Sequence, residues 1–310
     1  MTSKPTDLIS ILDWSQADLQ SLMGKAFKLK AGRNQAKVLG QLDLQGRTLG
    51  MIFQKPSTRT SVSFAVAMYQ LGGHALMLNA QDLQLKRGET ISDTARTLSR
   101  YLDGIMIRTF NHKDVVELAE AATVPVINGL TDLLHPCQAL GDVLTIVEVV
   151  KRGAKAQVPS LERLKIAYVG DGNNVANSLV EASARFGGNL WLACPEGYDV
   201  DAGILARARS EGADVHQTRD PREAAREADI LYTDVWASMG KDEEKEHRAS
   251  IFRPFQVNKK LLDLAKPSCR VMHCLPAHRG DEITDEIMDG PASIVFDQAE
   301  NRLHMQKAII

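Results

Sequence analysis

Few features of this sequence place it outside the ordinary soluble globular class. Its 310 residues include only four cysteines, none in a CxxC pair or at metal-ligand spacing, so we expect a reducing compartment and no metal site. The net charge of −2 offers no basic excess for nucleic acid or an anionic membrane. No apolar run approaches the roughly 20 residues that cross a bilayer, and the first eight residues lack the apolar core of a secretory signal. These absences predict a cytoplasmic protein.

The nucleotide-binding fingerprints are also incomplete. The segment Gly170–Asn174 (GDGNN) follows an apolar run, as a dinucleotide-binding turn would, but Val175 stands where GxGxxG needs its third glycine. We therefore disfavour a nicotinamide-dependent oxidoreductase and expect no cofactor. Asn173 and Asn174 suit hydrogen bonding to a small polar ligand instead.

What the sequence does contain is a regular alternation of strand-like and helix-like segments in both halves. Its length and its hydrophobic content of 44% suit about two domains with ample core. Alternating strands and helices indicate parallel sheets covered by helices. We predict two Rossmann-like α/β domains with the active site in the cleft between them. The expected boundaries are residues 1–150, residues 151–297, and a C-terminal helix, residues 298–310, that returns to the first domain.

The periodicity of apolar residues places the individual elements. The expected strands are Thr48–Phe53, His74–Asn79, Gly104–Arg108, Pro125–Asn128, Lys165–Gly170, Asn189–Ala193, Asp229–Val235, Arg270–His273 and Ile294–Phe296. The expected helices are Ser15–Lys30, Val62–Leu71, Thr90–Tyr101, His112–Ala122, His135–Lys151, Asn173–Phe186, Ala202–Glu211, Lys259–Ala265 and the stretch from Gln298 to the end.

One turn between a strand and a helix predicts an anion site. In the segment Ser57–Thr60 (STRT), the serine is a good N-cap, and Pro56 before it ends the strand. The first amides of a helix are unpaired and lie at the positive end of its dipole. Arg59 can bind two phosphate oxygens through its planar guanidinium. An ordinary capped helix with a surface arginine is an equally acceptable interpretation.

Other polar residues of the first half stand where binding residues are expected. Arg108 ends a strand, so it points to the ligand side of the sheet unless it forms a surface salt bridge. His135 and Gln138 open a long helix and share one face, where they suit a carbonyl and a phosphate oxygen; a structural histidine is the alternative. Gln84 lies in the polar stretch 81–90, which is more simply a solvated loop.

The second half offers a different set of candidates. Asp234 stands at a strand end and suits an ammonium group, and Ser238 lies in a loop before the charge run Lys241–Arg248, which suits a solvated helix or loop. Cys274 follows a strand and is either a perturbed thiol or an inert buried one. Arg302 is a surface residue unless the last helix packs on the first domain.

Taken in order, these motifs carry a resemblance that none of them carries alone. STRT at 57–60, HPCQ at 135–138, Asp234 with SMG at 238–240, and HCLP at 273–276 resemble the ornithine branch of the aspartate/ornithine carbamoyltransferase family. STRT alone indicates only the wider family, whereas SMG and HCLP indicate the ornithine branch. The resemblance covers essentially the whole chain. It implies transfer of the carbamoyl group of carbamoyl phosphate to L-ornithine, without metal or cofactor, by a trimer or a multiple of trimers.

The resemblance also implies a role for each matched residue. Arg59, Arg108, His135 and Cys274 are the implied catalytic residues. Carbamoyl phosphate would be bound by Ser57, Thr58, Arg59, Thr60, Arg108, His135, Gln138, Cys274, Leu275 and Arg302, with Gln84 inserted from a neighbouring subunit. Ornithine would be bound by Asn174, Asp234, Ser238 and Met239.

Two rival functions stay open at this point. A carbamoyltransferase for putrescine or N-acetylornithine would share most motifs, and Asp234 discriminates against it because it suits a free α-ammonium group. A catalytically silent protein that binds a phosphorylated metabolite would be expected to have lost Arg59, His135 or Cys274. The motifs leave open whether the reaction serves the synthesis or the breakdown of arginine.

Overall fold

The computed structural model describes residues 7–32, 44–79, 83–84, 88–150, 160–236 and 245–310. The chain divides into two compact units. Unit 1 comprises the chain up to Leu144 together with Asn301–Ile310, and unit 2 comprises Thr145–Glu300. The domain boundaries expected from the sequence, after residues 150 and 297, stay predictions.

The described residues form parallel strands and helices in alternation, as predicted. The strands are β1 Thr48–Phe53, β2 His74–Asn79, β3 Gly104–Arg108, β4 Val126–Leu130, β5 Lys165–Val169, β6 Asn189–Ala193, β7 Asp214–Thr218, β8 Ile230–Thr233 and β9 Arg270–His273. The helices are α1 Gln16–Ala31, α2 Thr58–Gln70, α3 Ile91–Leu98, α4 His112–Ala121, α5 Pro136–Val150, α6 Asn174–Phe186, α7 Ala202–Ser210, α8 Pro221–Ala225, α9 Lys245–Phe252, α10 Lys259–Leu262, α11 Asp285–Met288 and α12 Val295–Ile309.

The sheet of unit 1 has the strand order β2-β1-β3-β4, and every pair is parallel. The first strand, β1, lies inside the sheet. The next strand, β2, pairs with one edge of β1, and the chain then crosses over so that β3 pairs with the other edge of β1. Strand order therefore reverses between β1 and β3, where open parallel sheets bind their ligands at the carboxyl ends. Phe53 and Arg108 are register partners at that edge, so the STRT turn follows directly beside Arg108.

The sheet of unit 2 repeats this arrangement with the order β7-β6-β5-β8-β9. Its reversal lies between β5 and β8, and Thr233 at the end of β8 is the register partner of His273 at the end of β9. The loops after β5, β8 and β9 therefore emerge at one edge. These loops carry Asn173, Asp234 and Cys274.

The inner strands are mostly apolar along their length, because helices cover the sheets and shield these strands from solvent. Strands β3 and β5 are buried beyond their first residue, and β8 is buried throughout, as expected of parallel sheets. Two of the four edge strands differ: β2 is exposed at four of its six positions, and β7 buries only Val215. No helix in the part of the chain that the structure describes is long and apolar enough to cross a membrane.

Two parts of the element assignment from the sequence need correction. Strand β7 and the short helices α8 and α11 were not predicted. The edge strand DVHQT lacks the apolar alternation that identifies a strand, and helices of four or five residues are too short to show helical periodicity. The predicted strand Ile294–Phe296 is wrong. Ile294 donates its backbone N–H to the Val271 carbonyl at 2.9 Å, as a strand residue would, but Val295 already begins α12. Three apolar residues are too few for periodicity to tell a strand from a helix start.

Candidate active site

The first candidate half-site, in unit 1, is built around the start of α2. Ser57 caps this helix, and its Oγ accepts the N–H of Thr60 at 3.2 Å. Arg59 is half-buried in the first turn of this helix, and its guanidinium contacts no carboxylate among the described residues. A cation at the positive end of a helix raises the local potential further, so this corner of the unit suits an anion.

The last helix contributes Arg302 to the same half-site. Its Nη1 donates to Gln138 Oε1 at 2.6 Å, and its Nη2 donates to Thr60 Oγ1 at 3.0 Å. The Arg302 side chain is buried, with 3% of the residue exposed. Of the two alternatives that the sequence left for Arg302, the buried one is observed, because the helix segment from Asn301 onward belongs to unit 1.

His135 lies beside these cations and is neutral. Burial lowers its pKa well below 6.5, and the nearby positive charges of Arg302 and Arg108 lower it further. A neutral imidazole can donate one hydrogen bond to a carbonyl oxygen without bringing a labile charge. The neighbouring Cys137 is inert, since burial raises the pKa of its thiol to about 12.

The neutral state of His135 predicts a pH dependence of stability. Its pKa is depressed in the folded protein, so below about pH 6.5 the unfolded chain takes up a proton that the folded chain does not. The free energy of unfolding is therefore unaffected by this histidine above the pKa of the unfolded chain. Below that pKa it falls with the pH, by up to about 1.4 kcal/mol per pH unit. We expect the free energy of unfolding, measured with urea, to fall less steeply below about pH 6.5 in His135→Asn than in the parent.

A matched substitution at an exposed histidine provides the control. His74→Asn, at the exposed start of β2, should keep the parent's dependence of stability on pH. The same slope in His135→Asn and in the parent would contradict the assignment of a neutral buried imidazole.

The second candidate half-site, in unit 2, centres on the carboxylate of Asp234. Its Oδ2 accepts the Asn173 Nδ2–H at 2.7 Å. Its Oδ1 accepts the backbone N–H of Val235 and the thiol of Cys274, both at 2.8 Å. Asp234 is 6% exposed, and three donors therefore orient a carboxylate that has little contact with solvent.

Asn173 performs two tasks with one amide group. Its Oδ1 accepts the N–H groups of Val175 and Ala176, which caps α6, while its Nδ2 holds Asp234. The Tyr168 hydroxyl also donates to Asn173 Oδ1, at 3.3 Å. Burial and the charge of Asp234 raise the pKa of Tyr168, so its hydroxyl stays a donor. The side chain of Asn173 thus orients Asp234, and its direct contact with a ligand stays a prediction.

The turn after β9 is shaped by a buried histidine–glutamate pair. His273 Nδ1 accepts the N–H of Leu275 at 2.9 Å, and its Nε2 lies 3.0 Å from Glu282 Oε1. Leu275 has a φ of 59°, the left-handed conformation that is uncommon for a residue with a side chain. The ring therefore holds Leu275 in a backbone conformation that residues with side chains seldom adopt.

Asp234, His273 and Cys274 offer ligand atoms that lie within 4.8 Å of one another. Both ring nitrogens of His273 are already engaged, one by the Leu275 N–H and one by Glu282. A metal ion bound through this histidine would have to displace one of these partners. The cluster is therefore better described as a hydrogen-bonded carboxylate and thiol.

Arg248 contradicts the expectation of a solvated charge run. It is 4% exposed, its Nε donates to the Trp236 carbonyl at 2.6 Å, and its guanidinium pairs with Asp171. The guanidinium also lies over the rings of Tyr198 and Phe252, at 4.6 and 5.1 Å from their centroids. It therefore ties the loop after β8 to the turn after β5.

The remaining expected residues have simpler positions. Asn174 is half-buried at the first position of α6, and Gln84 is exposed. Ser238 and Met239 lie outside the described residues, and so does the part of the polar stretch that holds Lys86 and Arg87. Sequence reasoning missed three buried residues that orient the others, and only their placement near motif residues could have suggested them. They are Asp142, Arg248 and Glu282.

Two family models match the chain. The model for the carbamoyl-phosphate-binding domain of aspartate/ornithine carbamoyltransferase matches residues 6–148, and the model for the Asp/Orn-binding domain matches residues 162–310. Together they cover nearly the whole length.

Several similar proteins are named ornithine carbamoyltransferase. The ornithine carbamoyltransferase of Syntrophus aciditrophicus is 58% identical over 305 residues, which are 98% of each chain. The anabolic ornithine carbamoyltransferase of Pyrococcus furiosus is 53% identical and is matched over 98% of this chain and 95% of its own. The solved structure of ornithine carbamoyltransferase from Pyrococcus furiosus superposes with a TM-score of 0.90 over the same shares, and that from Thermus thermophilus with 0.87 at 43% identity over 99% and 98%.

Proposed function

We propose a function from one premise: the chain belongs to the aspartate/ornithine carbamoyltransferase family. The protein transfers the carbamoyl group of carbamoyl phosphate to the δ-amine of L-ornithine, which gives L-citrulline and phosphate. The observation that carries this is identity above 50% across almost the whole chain to relatives named ornithine carbamoyltransferase. Since one of these is named anabolic, we assign the step to arginine biosynthesis.

Unit 1 is the proposed site of carbamoyl phosphate. The start of α2, with Ser57, Thr58, Arg59 and Thr60, binds the phosphate, supported by the unpartnered charge of Arg59 among the described residues. Arg108, His135 and Gln138 bind the carbamoyl end, and Arg302, which donates to Thr60, completes the phosphate side. The neutral imidazole and the Arg108 guanidinium meet the oxygen that gains charge as the carbonyl is attacked.

Unit 2 is the proposed site of ornithine. The oriented Asp234 carboxylate binds the α-ammonium group. The remaining polar groups of the amino acid are bound by Asn174, Ser238 and Met239. Cys274, whose thiol donates to this carboxylate, and Leu275 are assigned to carbamoyl phosphate, beside the carbon that the δ-nitrogen attacks. An acceptor without a free α-ammonium group, such as putrescine or N-acetylornithine, leaves Asp234 without its counter-charge and is not favoured.

The chemical step needs no covalent intermediate. The δ-amine first loses a proton, because an ammonium group with a pKa near that of lysine, about 10.4, has no lone pair at neutral pH. The neutral nitrogen forms a bond to the carbamoyl carbon, the bond from that carbon to the phosphate oxygen breaks, and the nitrogen passes its extra proton to the departing phosphate. Arg59, Arg108 and His135 stabilise the charge on the carbonyl and phosphate oxygens; one such donor typically lowers the barrier by about 2.7–4 kcal/mol.

A colorimetric citrulline assay tests the proposal directly. Purified protein receives carbamoyl phosphate with L-ornithine, putrescine, N-acetylornithine or L-aspartate. We expect product with L-ornithine and background signal with the other three. Faster carbamoylation of any other amine would contradict the proposed acceptor.

We propose that the chain assembles as a trimer or a multiple of trimers. Val62 and Tyr69 are two helical turns apart on one face of α2 and are 55% and 80% exposed. On the neighbouring edge strand, Leu76 and Met77 are 41% and 44% exposed. Apolar side chains on an uncovered edge favour a partner, and an exposed Gln84 suits the role of entering a neighbouring subunit.

Light scattering after gel filtration tests the assembly. We expect a mass of three chains or a multiple of three, and a shift to single chains in Tyr69→Asp, because the new charge would have to be buried. Phe296→Asp, at a residue of unit 2 that is 68% exposed, is the control and should keep the parent's mass. A parent protein with the mass of a single chain would contradict the proposed assembly.

The cytoplasmic location of the protein stays a prediction.

A further inference from the structure

A buried carboxylate that the proposed mechanism does not use lies one helical turn beyond Gln138. Asp142 is 0% exposed and Gln138 is 1% exposed. Gln138 Nε2 donates to Asp142 Oδ1 at 2.8 Å, and Gln138 Oε1 accepts from Arg302 Nη1 at 2.6 Å. The amide nitrogen of Gln138 thus bonds to an acceptor, and the amide oxygen bonds to a donor. All of these residues belong to unit 1.

These partners determine which end of the amide faces which group. The reverse orientation would place Oε1 against the carboxylate and Nε2 against the guanidinium, so acceptor would meet acceptor and donor would meet donor. Arg302 also donates to Thr60 Oγ1 at the start of α2. The oxygen end of the amide is therefore the end directed toward the residues that would bind the phosphate.

A carbonyl oxygen in this position distinguishes two ligands of nearly equal size. The amino group of carbamoyl phosphate can donate a hydrogen bond to Oε1, whereas the methyl group of acetyl phosphate cannot. A flipped amide would present an N–H donor to either ligand and would favour neither. Selection for a ligand with an amino group thus depends on the orientation of the Gln138 amide.

We propose that Asp142 is a positioning residue that orients the Gln138 amide and thereby selects carbamoyl phosphate against acyl phosphates without an amino group. The inference rests on the proposed function, because it takes Gln138 to bind the carbamoyl end. Arg302 favours the same orientation, so loss of Asp142 alone lowers the selectivity and leaves part of it.

Two stable analogues measure this selectivity by calorimetry. Phosphonoacetamide carries the amino group, and acetonylphosphonate carries a methyl group in its place. The Kd of acetonylphosphonate divided by the Kd of phosphonoacetamide is the selectivity ratio, which we expect to be about tenfold in the parent for one hydrogen bond. In Gln138→Leu the side chain has no hydrogen-bond acceptor, so this variant gives the selectivity ratio of a site that cannot distinguish the amino group from the methyl group.

The isosteric variant Asp142→Asn is the decisive one, because an asparagine amide can satisfy either orientation of Gln138 without leaving a cavity. We expect its ratio to fall about threefold or more toward the value of Gln138→Leu, while its Kd for inorganic phosphate stays within about twofold of the parent. Asp229→Asn is the matched control: its carboxylate accepts the Lys165 N–H at 2.9 Å in unit 2, and the ratio should not change.

Each other outcome overturns the inference. An unchanged ratio in Asp142→Asn means that the carboxylate does not orient the amide. A parallel loss of affinity for phosphate and for both analogues means that Asp142 only supports the fold. The citrulline assay on the parent protein decides the proposed function separately, so failure of one does not imply failure of the other.

Discussion

Replacing Arg59 with lysine is expected to raise the Kd for carbamoyl phosphate by about 10- to 150-fold, the range for loss of one hydrogen bond to a charged group. Lysine keeps the charge but loses the planar fork that binds two oxygens at once. The Arg59 side chain meets no carboxylate among the described residues, so the loss reports on the ligand rather than on a broken salt bridge. Calorimetry with phosphonoacetamide and the KM for carbamoyl phosphate both measure the change.

The control for this prediction is the same substitution at a surface ion pair. Arg222 bonds to Asp220 with 73% of its side chain exposed, and Arg222→Lys should leave both the Kd and the KM unchanged. An Arg59→Lys variant with the parent's affinity would contradict the proposal that the start of α2 binds the phosphate.

Replacing Asp234 with asparagine is expected to raise the KM for ornithine by about 100-fold and to leave the Kd for phosphonoacetamide unchanged. The substitution removes the charge that would pair with the α-ammonium group. It also turns an NH₂ group toward a donor, either Asn173 Nδ2 or the pair of donors at Oδ1. A buried donor without an acceptor costs about 1–3 kcal/mol, so lower stability should accompany the kinetic effect.

Asp263→Asn separates the kinetic effect from a general one. Asp263 pairs with Lys259 in the same unit with 57% of its side chain exposed, and its loss should change neither the KM for ornithine nor that for carbamoyl phosphate. Equal increases in both KM values in Asp234→Asn would contradict the assignment of Asp234 to the amino acid.

The sequence predicted the fold well because its signals are local. An apolar run ending at Phe53, Pro56, and a serine cap at residue 57 define the boundary of β1 and α2 without tertiary information. The bounds of β1, β2, β3, β6 and β9 agree with the prediction. The fold class is confirmed, whereas β7 escaped prediction because its pairing with β6, not its composition, makes it a strand.

The network behind the candidate residues could not be predicted in the same way. Asn173 and Asp234 are 61 positions apart and meet because β5 and β8 are neighbours in the sheet. The burial of Arg302 depends on which unit its helix segment joins. Both are consequences of strand order and helix packing, and a single sequence does not encode these as a local pattern. The roles of the candidate residues stay predictions.

The double duty of Asn173 limits how this enzyme can be altered toward other amines. One amide both begins α6 and holds the carboxylate of Asp234. An engineer who removes the negative charge to accept a neutral substrate also removes the acceptor for the Asn173 N–H, and a compensating change at Asn173 disturbs the first turn of a buried helix. Acceptor choice and the thermal tolerance of unit 2 are therefore expected to change together in any library randomised at these two positions.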